Sequence, residues 1–365
     1  MRIYFLILLF AVCVSTSSAE SEEARLDRKI KVGVSTVLTG DSAAAGQDVR
    51  DAILFANEKF GNGRYEIIIE DDKCSPKDAV SVAHKFISVD KVDYVIGLLC
   101  SGATLAAAPL YEKAKIVTIT TGASSPKISD AGEFVFRTTP NDRLAAEVLS
   151  AHVAKKHSLV GVLSEETEYC QDLKNAFLSN ASSLGLKTIA ADSPPGASDY
   201  RLLLTQLKQK SIDSIFINTQ NEQGYYIVTK QLRELGIDVP TYGAYWPGSP
   251  VFLALAKELS EGAEFVNTPL LEEILTKEGM AFFQEYKSKY GEVRSIPSIF
   301  ASSVEAFRLL SFLDGVPKTD APKHLYSSSY NGIFGPYTFD RHGEIEGFTF
   351  GLYKIEQGKA KPIKN

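Results

Sequence analysis

The chain has 365 residues, of which 44% are hydrophobic and 23% are charged, so it is long enough to fold into two globular domains. Its formal net charge is −6 and it has no dense run of Lys or Arg, which gives nucleic-acid binding no electrostatic support. It also lacks the motifs of serine hydrolases, zinc proteases, thiol–disulfide exchange and nucleotide-phosphate loops, and its five histidines are scattered. We therefore expect no enzyme activity, no cofactor and no metal site.

The N-terminus has the pattern of an export signal. Arg2 precedes the apolar run Ile3–Val14, and small residues at 17–19 provide a cleavage site. The apolar run is too short for a confident membrane span. We predict a cleaved signal peptide over residues 1–19 and an exported, soluble mature chain that starts near Glu20. A lipid anchor on Cys13 is the less favoured alternative, because the residues before it form a poor lipoprotein motif.

Export determines how the cysteines are interpreted. Once the signal is removed, three remain, at Cys74, Cys100 and Cys170. An oxidising compartment favours a disulfide between Cys74 and Cys100, which would close a loop of about 26 residues and stabilise the fold by roughly 3–4 kcal/mol. Cys170 is then left over, and we expect it to be a partly buried, unreactive thiol.

Predicted strands and helices alternate along the mature chain. The predicted strands are 30–35, 65–70, 93–99, 116–121, 134–138, 159–163, 186–191, 213–218, 241–244 and 263–267. The predicted helices are 47–60, 78–89, 105–113, 142–156, 168–184, 198–209, 222–235, 249–259, 271–290 and 297–313. Such alternation is typical of parallel sheets with right-handed crossovers. Because the pattern breaks near residue 140, we predict an α/β fold of two doubly wound parallel-sheet lobes with a cleft between them.

Two neighbouring strand–turn–helix units carry the candidate ligand groups. The strand that starts at Asp93 ends in Cys100-Ser-Gly102, and the next strand ends in Gly122-Ala-Ser-Ser-Pro126. In a parallel sheet both turns open on the same edge, where ligands bind. The N–H groups at a helix N-terminus favour a carboxylate or phosphate, so Ser101 is placed to help bind an anion. The alternative is that these residues only cap helices. The adjacent acids Asp71 and Asp72 are expected to form a solvated loop or cap rather than an acid–base pair.

Several stretches of the chain carry a recognisable pattern, namely Asp71–Lys85, Tyr94–Ser101, Gly122–Pro126, Gly335–Asp340, Gly343 and Gly347–Gly351. They closely resemble the leucine/isoleucine/valine-binding protein family, which comprises soluble ligand-capturing components of bacterial ABC importers. The resemblance covers nearly all of the mature chain and is vague between about residues 186 and 329. It implies a periplasmic location, an ABC permease as membrane partner, and two lobes joined by a three-strand hinge. We also expect a monomer. The expected lobes are 28–140 with 269–347, and 141–268 with 348–365.

The resemblance also implies roles for individual residues. By the family's pattern, Ser101 and Ser124 would hold a ligand carboxylate through hydroxyl and backbone N–H groups. The carbonyl of Gly122 or Ala123 would face a ligand ammonium. Tyr169 matches a tyrosine that the family places on its second lobe. The disulfide between the two first-lobe cysteines is implied by the family as well.

The chain departs from the family at the ammonium end of the site. Tyr245 stands where the family's amino-acid binders have an acid, which removes a charge-assisted hydrogen bond of roughly 1.5–3 kcal/mol. Small residues around Ala45 replace a first-loop aromatic, and the polar Gln220 lies near another aromatic position. Glu222 or Glu165 could supply the missing acid. Alternatively, Tyr245 and the tryptophan after it could offer an aromatic face to an apolar, aromatic or cationic ligand.

The sequence therefore predicts a non-enzymatic solute-binding protein of an ABC importer. Its ligand is expected to be a small carboxylate, namely a branched-chain or aromatic amino acid or a related organic acid. Hinge closure would bring Tyr169, Gln220 and Tyr245 over the ligand and exclude water. Two alternatives stay open: a binder of amide- or urea-type ligands, and a ligand-sensing subunit of a signalling system.

Overall fold

A computed structural model describes residues 28–364 of the chain. The predicted signal peptide, and with it Cys13, lies outside this range. Among the described residues, no helix combines the length and the apolar character needed to cross a bilayer. Over the same range, no group of three or more His, Cys, Asp or Glu side chains is arranged to hold a metal ion.

The first part of the chain forms a five-stranded parallel sheet. Its strands are β1 (Ile30–Thr36), β2 (Tyr65–Asp71), β3 (Tyr94–Gly97), β4 (Thr118–Thr120) and β5 (Val135–Arg137), in the spatial order β2-β1-β3-β4-β5. The helices between them are α1 (Ala43–Phe60), α2 (Pro76–Lys85) and α3 (Ser101–Ala114). Every pairing within this sheet is parallel, so the carboxyl ends of all five strands lie on one edge.

The middle of the chain repeats this alternation. Its strands are β6 (Leu159–Glu165), β7 (Lys187–Ser193), β8 (Ser214–Asn218), β9 (Thr241–Ala244) and β10 (Glu264–Asn267). Its helices are α4 (Asp142–Ala154), α5 (Glu168–Ser183), α6 (Arg201–Gln209), α7 (Glu222–Glu234) and α8 (Pro250–Ala256). These strands also pair in parallel.

The last part of the chain forms further helices and short strands, and its final two strands join the second sheet. Its elements are α9 (Leu271–Ile274), α10 (Lys277–Tyr290), α11 (Pro297–Leu309), α12 (Ala321–Tyr326), β11 (Tyr330–Gly332), β12 (Gly335–Phe339), β13 (Ile345–Glu346), β14 (Gly351–Glu356) and β15 (Lys359–Pro362). Strand β14 joins β10 in the antiparallel direction, which completes a mixed seven-stranded sheet of order β15-β14-β10-β9-β8-β6-β7. The single helix predicted over 271–290 is instead two helices. The break occurs because Leu275 is extended and Thr276 caps α10 by accepting from Gly279 N.

The five-stranded and seven-stranded sheets are the centres of the two lobes, and a small third sheet has the order β11-β12-β13. The chain leaves the five-stranded sheet after β5 and adds its last two strands, β14 and β15, to the seven-stranded sheet. The predicted α/β architecture of two lobes built on parallel strands is thus confirmed, with an antiparallel edge added to the second sheet. The carboxyl ends of the parallel strands of both lobes lead into the cleft, which places their loops where a ligand would lie.

Candidate ligand-binding site

A small cavity lies between the lobes, at the carboxyl ends of the parallel strands. We call it the inner cavity, and its volume is about 50 Å³. Its first-lobe wall consists of Ser42, Ala45, Leu99, Cys100, Ser101, Gly122, Ser124, Thr139, Ile296, Ser298 and Ile299. Its second-lobe wall consists of Tyr169, Gln220, Glu222, Tyr245 and Trp246. All the predicted ligand-binding residues except Ala123 therefore meet at one cavity.

Ser101 lies where helix α3 begins, directly after the disulfide. Cys100 is the N-cap of α3, and it is bonded to Cys74 in the loop after β2, with the two Cα atoms 5.3 Å apart. The predicted disulfide is therefore present. Ser101 is 2% exposed, and its hydroxyl accepts a hydrogen bond of 3.2 Å from the backbone N–H of Ser125. This bond joins the two ligand turns of the first lobe.

The turn after β4 is anchored to the turn after β3 by backbone bonds. Thr121 donates to the carbonyl of Gly97 from both its N–H (2.7 Å) and its hydroxyl (3.1 Å). Gly97 has a φ of +107°, and a Cβ there would lie 2.5 Å from the carbonyl oxygen of Ser35. Only glycine fits this position without displacement of β1. The two turns that carry Ser101 and Ser124 are thus held at a fixed separation by the backbone itself.

A buried acid, Asp142, stands behind the inner cavity and was not among the predicted site residues. It accepts hydrogen bonds from the hydroxyls of Ser124 (2.7 Å) and Tyr245 (2.6 Å), and its N–H donates to the carbonyl of Ser124 (3.0 Å). Asp142 has no exposed surface, and burial raises its pKa to about 6 although the hydrogen bonds from Tyr245 and Ser124 oppose the rise. Asp142 thereby joins the first-lobe wall to the second.

This arrangement corrects the expected role of the Ser124 hydroxyl. Its proton is directed at Asp142, so the oxygen can accept from a ligand but is not free to donate to a ligand carboxylate. Ala123 also differs from its expected place. Its side chain is fully buried and packs with Ala108, Ile128 and Val135 rather than lining the cavity. Gly122 is the member of that pair that lines the inner cavity.

Aromatic rings form much of the second-lobe wall. The ring centroid of Tyr169 lies 6.5 Å from that of Tyr245 and 6.4 Å from that of Trp246. Tyr245 has φ 60° and ψ −61°, a conformation that a non-glycine residue rarely adopts, and its N–H donates to the carbonyl of Val266 at 2.9 Å. Residues held in sparsely populated conformations often cluster at functional sites, because the surrounding structure must fix them.

Glu222 is the acidic residue that lines the inner cavity. It is 3% exposed, and one of its oxygens accepts from the hydroxyl of Ser295 in the first lobe. Within residues 28–364, no Lys, Arg or His forms an ion pair with it, and none lines the cavity. Burial raises the pKa of Glu222, against the hydrogen bond from Ser295. Glu165, the other candidate acid, does not line the cavity, because it accepts from the hydroxyl of Tyr200 and the N–H of Gln220.

A larger space, the outer cavity, adjoins the inner one. It measures about 820 Å³, and the two cavities share Ser42, Cys100 and Gln220. The amide Nε2 of Gln220 lies 3.8 Å from the sulfur of Cys74, so Gln220 contacts the first lobe at the boundary of the two cavities. Lys127 of the first lobe also lines the outer cavity and pairs across the cleft with Glu168 and Asp172.

Two further expectations are settled by burial. Asp72 is 1% exposed and accepts from the hydroxyl of Ser35 and the N–H of Cys74, so it is a buried cap for the disulfide loop and not a solvated acid. Asp71 beside it caps the loop after β1 by accepting from Leu38 N. Cys170 is fully buried, more than predicted, and burial raises the pKa of its thiol well above the usual range. A neutral buried thiol is a poor nucleophile.

Residues 29–347 match the family model described as periplasmic binding protein. The chain belongs to the periplasmic binding protein family. This family comprises solute-binding proteins rather than enzymes. The periplasmic binding protein described here has the type I fold of that family, with α/β lobes built on parallel strands.

Individual relatives span almost the whole chain at low identity. A leucine-, isoleucine-, valine-, threonine- and alanine-binding protein of Pseudomonas aeruginosa is 26% identical over 339 residues, which cover 89% of each chain. The crystal structure of a leucine-binding protein from Thermotoga maritima superposes with a TM-score of 0.85 at 21% identity, covering 92% of this chain and 98% of that one. A solute-binding protein of Rhodopseudomonas palustris, crystallised with 3,4-dihydroxybenzoic acid, gives a TM-score of 0.81 at 21% identity, with coverages of 92% and 96%.

Proposed function

We propose that this periplasmic binding protein captures a small carboxylate that also carries an amine, and delivers it to an ABC permease. The observation that carries the proposal is the pairing of two features in one cavity. The N-terminus of α3 at Ser101 forms part of one wall, and the unpaired buried carboxylate of Glu222 forms part of the other. The first suits an anion and the second suits a cation, so an α-amino acid fits both.

The lining of the inner cavity supports binding of the ligand's carboxylate at the N-terminus of α3. Among the described residues no basic side chain lines the inner cavity, so an anion there must be held by dipoles and hydrogen bonds. The first turn of a helix provides both, because its N–H groups lack intrahelical acceptors and carry partial positive charge. The Ser101 hydroxyl, which accepts from Ser125 N, can donate its own proton to a ligand oxygen.

The amine end is supported by electrostatics. Burying a carboxylate without a cation is unfavourable, and a hydrogen bond from Ser295 offsets only part of that cost. A ligand ammonium beside Glu222 would remove the imbalance. Asp142 adds a second buried acid behind the Ser124 and Tyr245 hydroxyls, whose oxygens can then accept from the ligand. Glu222 would thus replace the acid that the family places at the position of Tyr245.

Ligand entry is proposed to occur by opening of the two lobes. The inner cavity, at about 50 Å³, is smaller than the roughly 150 Å³ at which a buried cavity accepts benzene. A ligand therefore enters only if the walls separate and then close around it. We propose that one lobe consists of residues 28–140 with 269–347 and the other of residues 141–268 with 348–365. The lobes would then move about the three points where the chain passes from one to the other. We also propose that the protein is an exported monomer whose signal peptide is residues 1–19.

Relatives support the amino-acid assignment without deciding it. The Pseudomonas aeruginosa protein is named for five α-amino acids, whereas the Rhodopseudomonas palustris protein was crystallised with an acid that has no amine. Glu222 is the reason for preferring the first class. An acid without an amine would leave that carboxylate buried and unpaired.

The test is calorimetric titration with ligands that differ only in the proposed contacts. Leucine and phenylalanine would be compared with 4-methylpentanoate and 3-phenylpropanoate, which lack the amine, and with the corresponding amides, which lack the carboxylate. We expect the amino acids to bind tightest and loss of the amine to cost roughly 1.5–3 kcal/mol. In Glu222→Gln this cost should fall towards zero, whereas Glu166→Gln, an exposed acid of the outer cavity, should preserve it.

Two outcomes would contradict the proposal. Tighter binding of the deaminated acids would make the protein an organic-acid binder. Binding of the amides without binding of any carboxylate would favour the amide-type ligand, the second possibility raised by the sequence.

A further inference from the structure

Hydrogen-bonding side chains are interspersed with apolar surface around the inner cavity. Ten of its sixteen lining residues carry a hydrogen-bonding group on the side chain, and five of these ten are on the second-lobe wall. Ligand sites commonly combine a largely apolar lining with a few placed polar groups that fix specificity. Polar groups of the second-lobe wall that have no partner within the protein are therefore the candidate contacts for the ligand's side chain.

Tyr169 supplies the most specific observation. Its side chain is on the second-lobe wall, it is 7% exposed, and its hydroxyl has no hydrogen-bond partner within the described part of the chain. The indole N–H of Trp246 faces this hydroxyl but donates to the carbonyl of Thr219 at 2.8 Å, and an indole N–H cannot accept a proton. The proton of the Tyr245 hydroxyl is directed at Asp142. Among the described residues the proton of the Tyr169 hydroxyl therefore has no acceptor, and since buried hydroxyls are almost always hydrogen-bonded, this group is placed to donate to a ligand.

Gln220 provides a second, independent indication on the same wall. Its amide lies at the boundary between the inner and outer cavities, and within residues 28–364 the hydrogen-bond partner of its Nε2 is the sulfur of Cys74 at 3.8 Å, a weak acceptor. Tyr169 lies in the first turn of α5, which follows β6, and Gln220 lies in the loop after β8, the strand adjacent to β6. Both groups therefore lie on one side of the cavity, opposite the N-terminus of α3.

We propose that the ligand's side chain carries a neutral hydrogen-bonding group, a hydroxyl or an amide, which binds to the hydroxyl of Tyr169. The protein would then prefer a polar amino acid to an apolar one of the same shape. An apolar side chain would leave the Tyr169 hydroxyl buried and unsatisfied, whereas a polar one pays no such penalty. The inference rests on the proposed function, because it assumes that the ligand's acid and amine lie at Ser101 and Glu222.

The experiment uses pairs of amino acids that are nearly equal in shape and differ in one polar group. Threonine is compared with valine, asparagine with leucine, and tyrosine with phenylalanine, each by calorimetric titration of the wild-type protein. We expect at least one polar member to bind roughly ten- to a hundred-fold more tightly than its apolar partner. In Tyr169→Phe that ratio should fall towards one.

Tyr225→Phe is the matched control. Tyr225 also has a buried hydroxyl without a partner among the described residues, and it lies in the second lobe but does not line either cavity. The change removes the same atom from the same lobe, so it should leave the ratio as in the wild type. Melting temperatures of both variants verify that each is folded.

The outcomes separate this inference from the proposed function. If amino acids bind but every apolar member binds as tightly as its polar partner, the inference is wrong and the proposed function stands. If the polar preference is present but survives Tyr169→Phe, Tyr169 is not its source and the inference is wrong. If none of the six amino acids binds, the proposed function fails and the inference fails with it.

Discussion

The two walls of the inner cavity are built in different ways. The ligand-facing part of the first-lobe wall comes mainly from two short turns, 99–102 and 122–125, which backbone hydrogen bonds and a disulfide hold in place. Large side chains form the second-lobe wall. They come from loops and first helical turns that follow three different strands, and they are Tyr169, Gln220, Glu222 and Tyr245. The first-lobe wall is therefore fixed by local bonds and offers few kinds of chemical group, whereas the second-lobe wall combines different side chains from separate segments.

This difference suggests a division of labour. Backbone N–H groups and small hydroxyls recognise a carboxylate, which every amino acid has, so the first-lobe wall would supply affinity without selectivity. Side chains on the second-lobe wall meet the parts of the ligand that vary between amino acids. Selectivity and stability should therefore respond to different mutations.

Breaking the disulfide should have the largest effect and should leave selectivity intact. Replacing Cys74 and Cys100 together by serine frees a loop with a sequence separation of 26 residues in the unfolded chain. We expect the free energy of unfolding to fall by roughly 3–4 kcal/mol, as measured by urea denaturation. A reducing agent should have the same effect on the wild type and none on the double variant. The difference in binding free energy between threonine and valine should stay as in the wild type. If it changed by as much as the free energy of unfolding, the first-lobe wall would also determine selectivity, and the comparison of the two walls would be wrong.

Asp142, which links the walls, should affect stability and binding in opposite directions. Burial raises the pKa of Asp142 in the folded protein to about 6, above its ordinary value of 3.8. The ionised carboxyl therefore destabilises the free protein above about pH 6, and this cost disappears as the pH falls towards 3.8. Asp142→Asn should therefore stabilise the free protein by roughly 2–3 kcal/mol at neutral pH and by nothing near pH 4. Thermal melts of both proteins across this pH range measure the difference.

The same substitution should weaken binding of amino acids. The wild-type affinity should decrease below about pH 6, because the protonated Asp142 no longer attracts a ligand ammonium. In Asp142→Asn much of this pH dependence should be lost. A variant that is less stable at every pH would contradict the assignment, since it would mean that the ionised carboxyl stabilises the junction of the two walls.

Ser101→Ala should have the smallest effect and the most uniform one. Loss of one hydroxyl donor to the ligand carboxylate should weaken binding of every amino acid by about 1 kcal/mol, or roughly fivefold. The affinity ratio within each polar and apolar pair should not change, because the second-lobe wall is intact. Ser81→Ala, an exposed serine on α2 of the same lobe, is the matched control. A selective loss for one ligand would place Ser101 beside the side chain rather than the carboxylate.

Much of the fold and half of the candidate site could be predicted from the sequence. The alternation of apolar strands with amphipathic helices determines parallel sheets, because each element must bury its apolar face on its neighbours. The turns at Ser101 and Gly122 follow from that alternation, since both end parallel strands on the same edge. The disulfide was predicted because an exported chain with cysteines at 74 and 100 has a natural pair. All of these features depend on residues that are close along the chain.

Only the tertiary structure decided which polar groups are already satisfied. Asp142 accepts from Tyr245, 103 residues away, and Glu222 accepts from Ser295, 73 residues away. These contacts turn the Ser124 hydroxyl away from a ligand carboxylate, leave Glu222 as the acid of the cavity, and leave the Tyr169 hydroxyl without a partner among the described residues. The physical reason is that a hydrogen bond depends on the approach of two groups to within about 3 Å. Such an approach between distant segments is set by the packing of whole lobes and not by any local pattern.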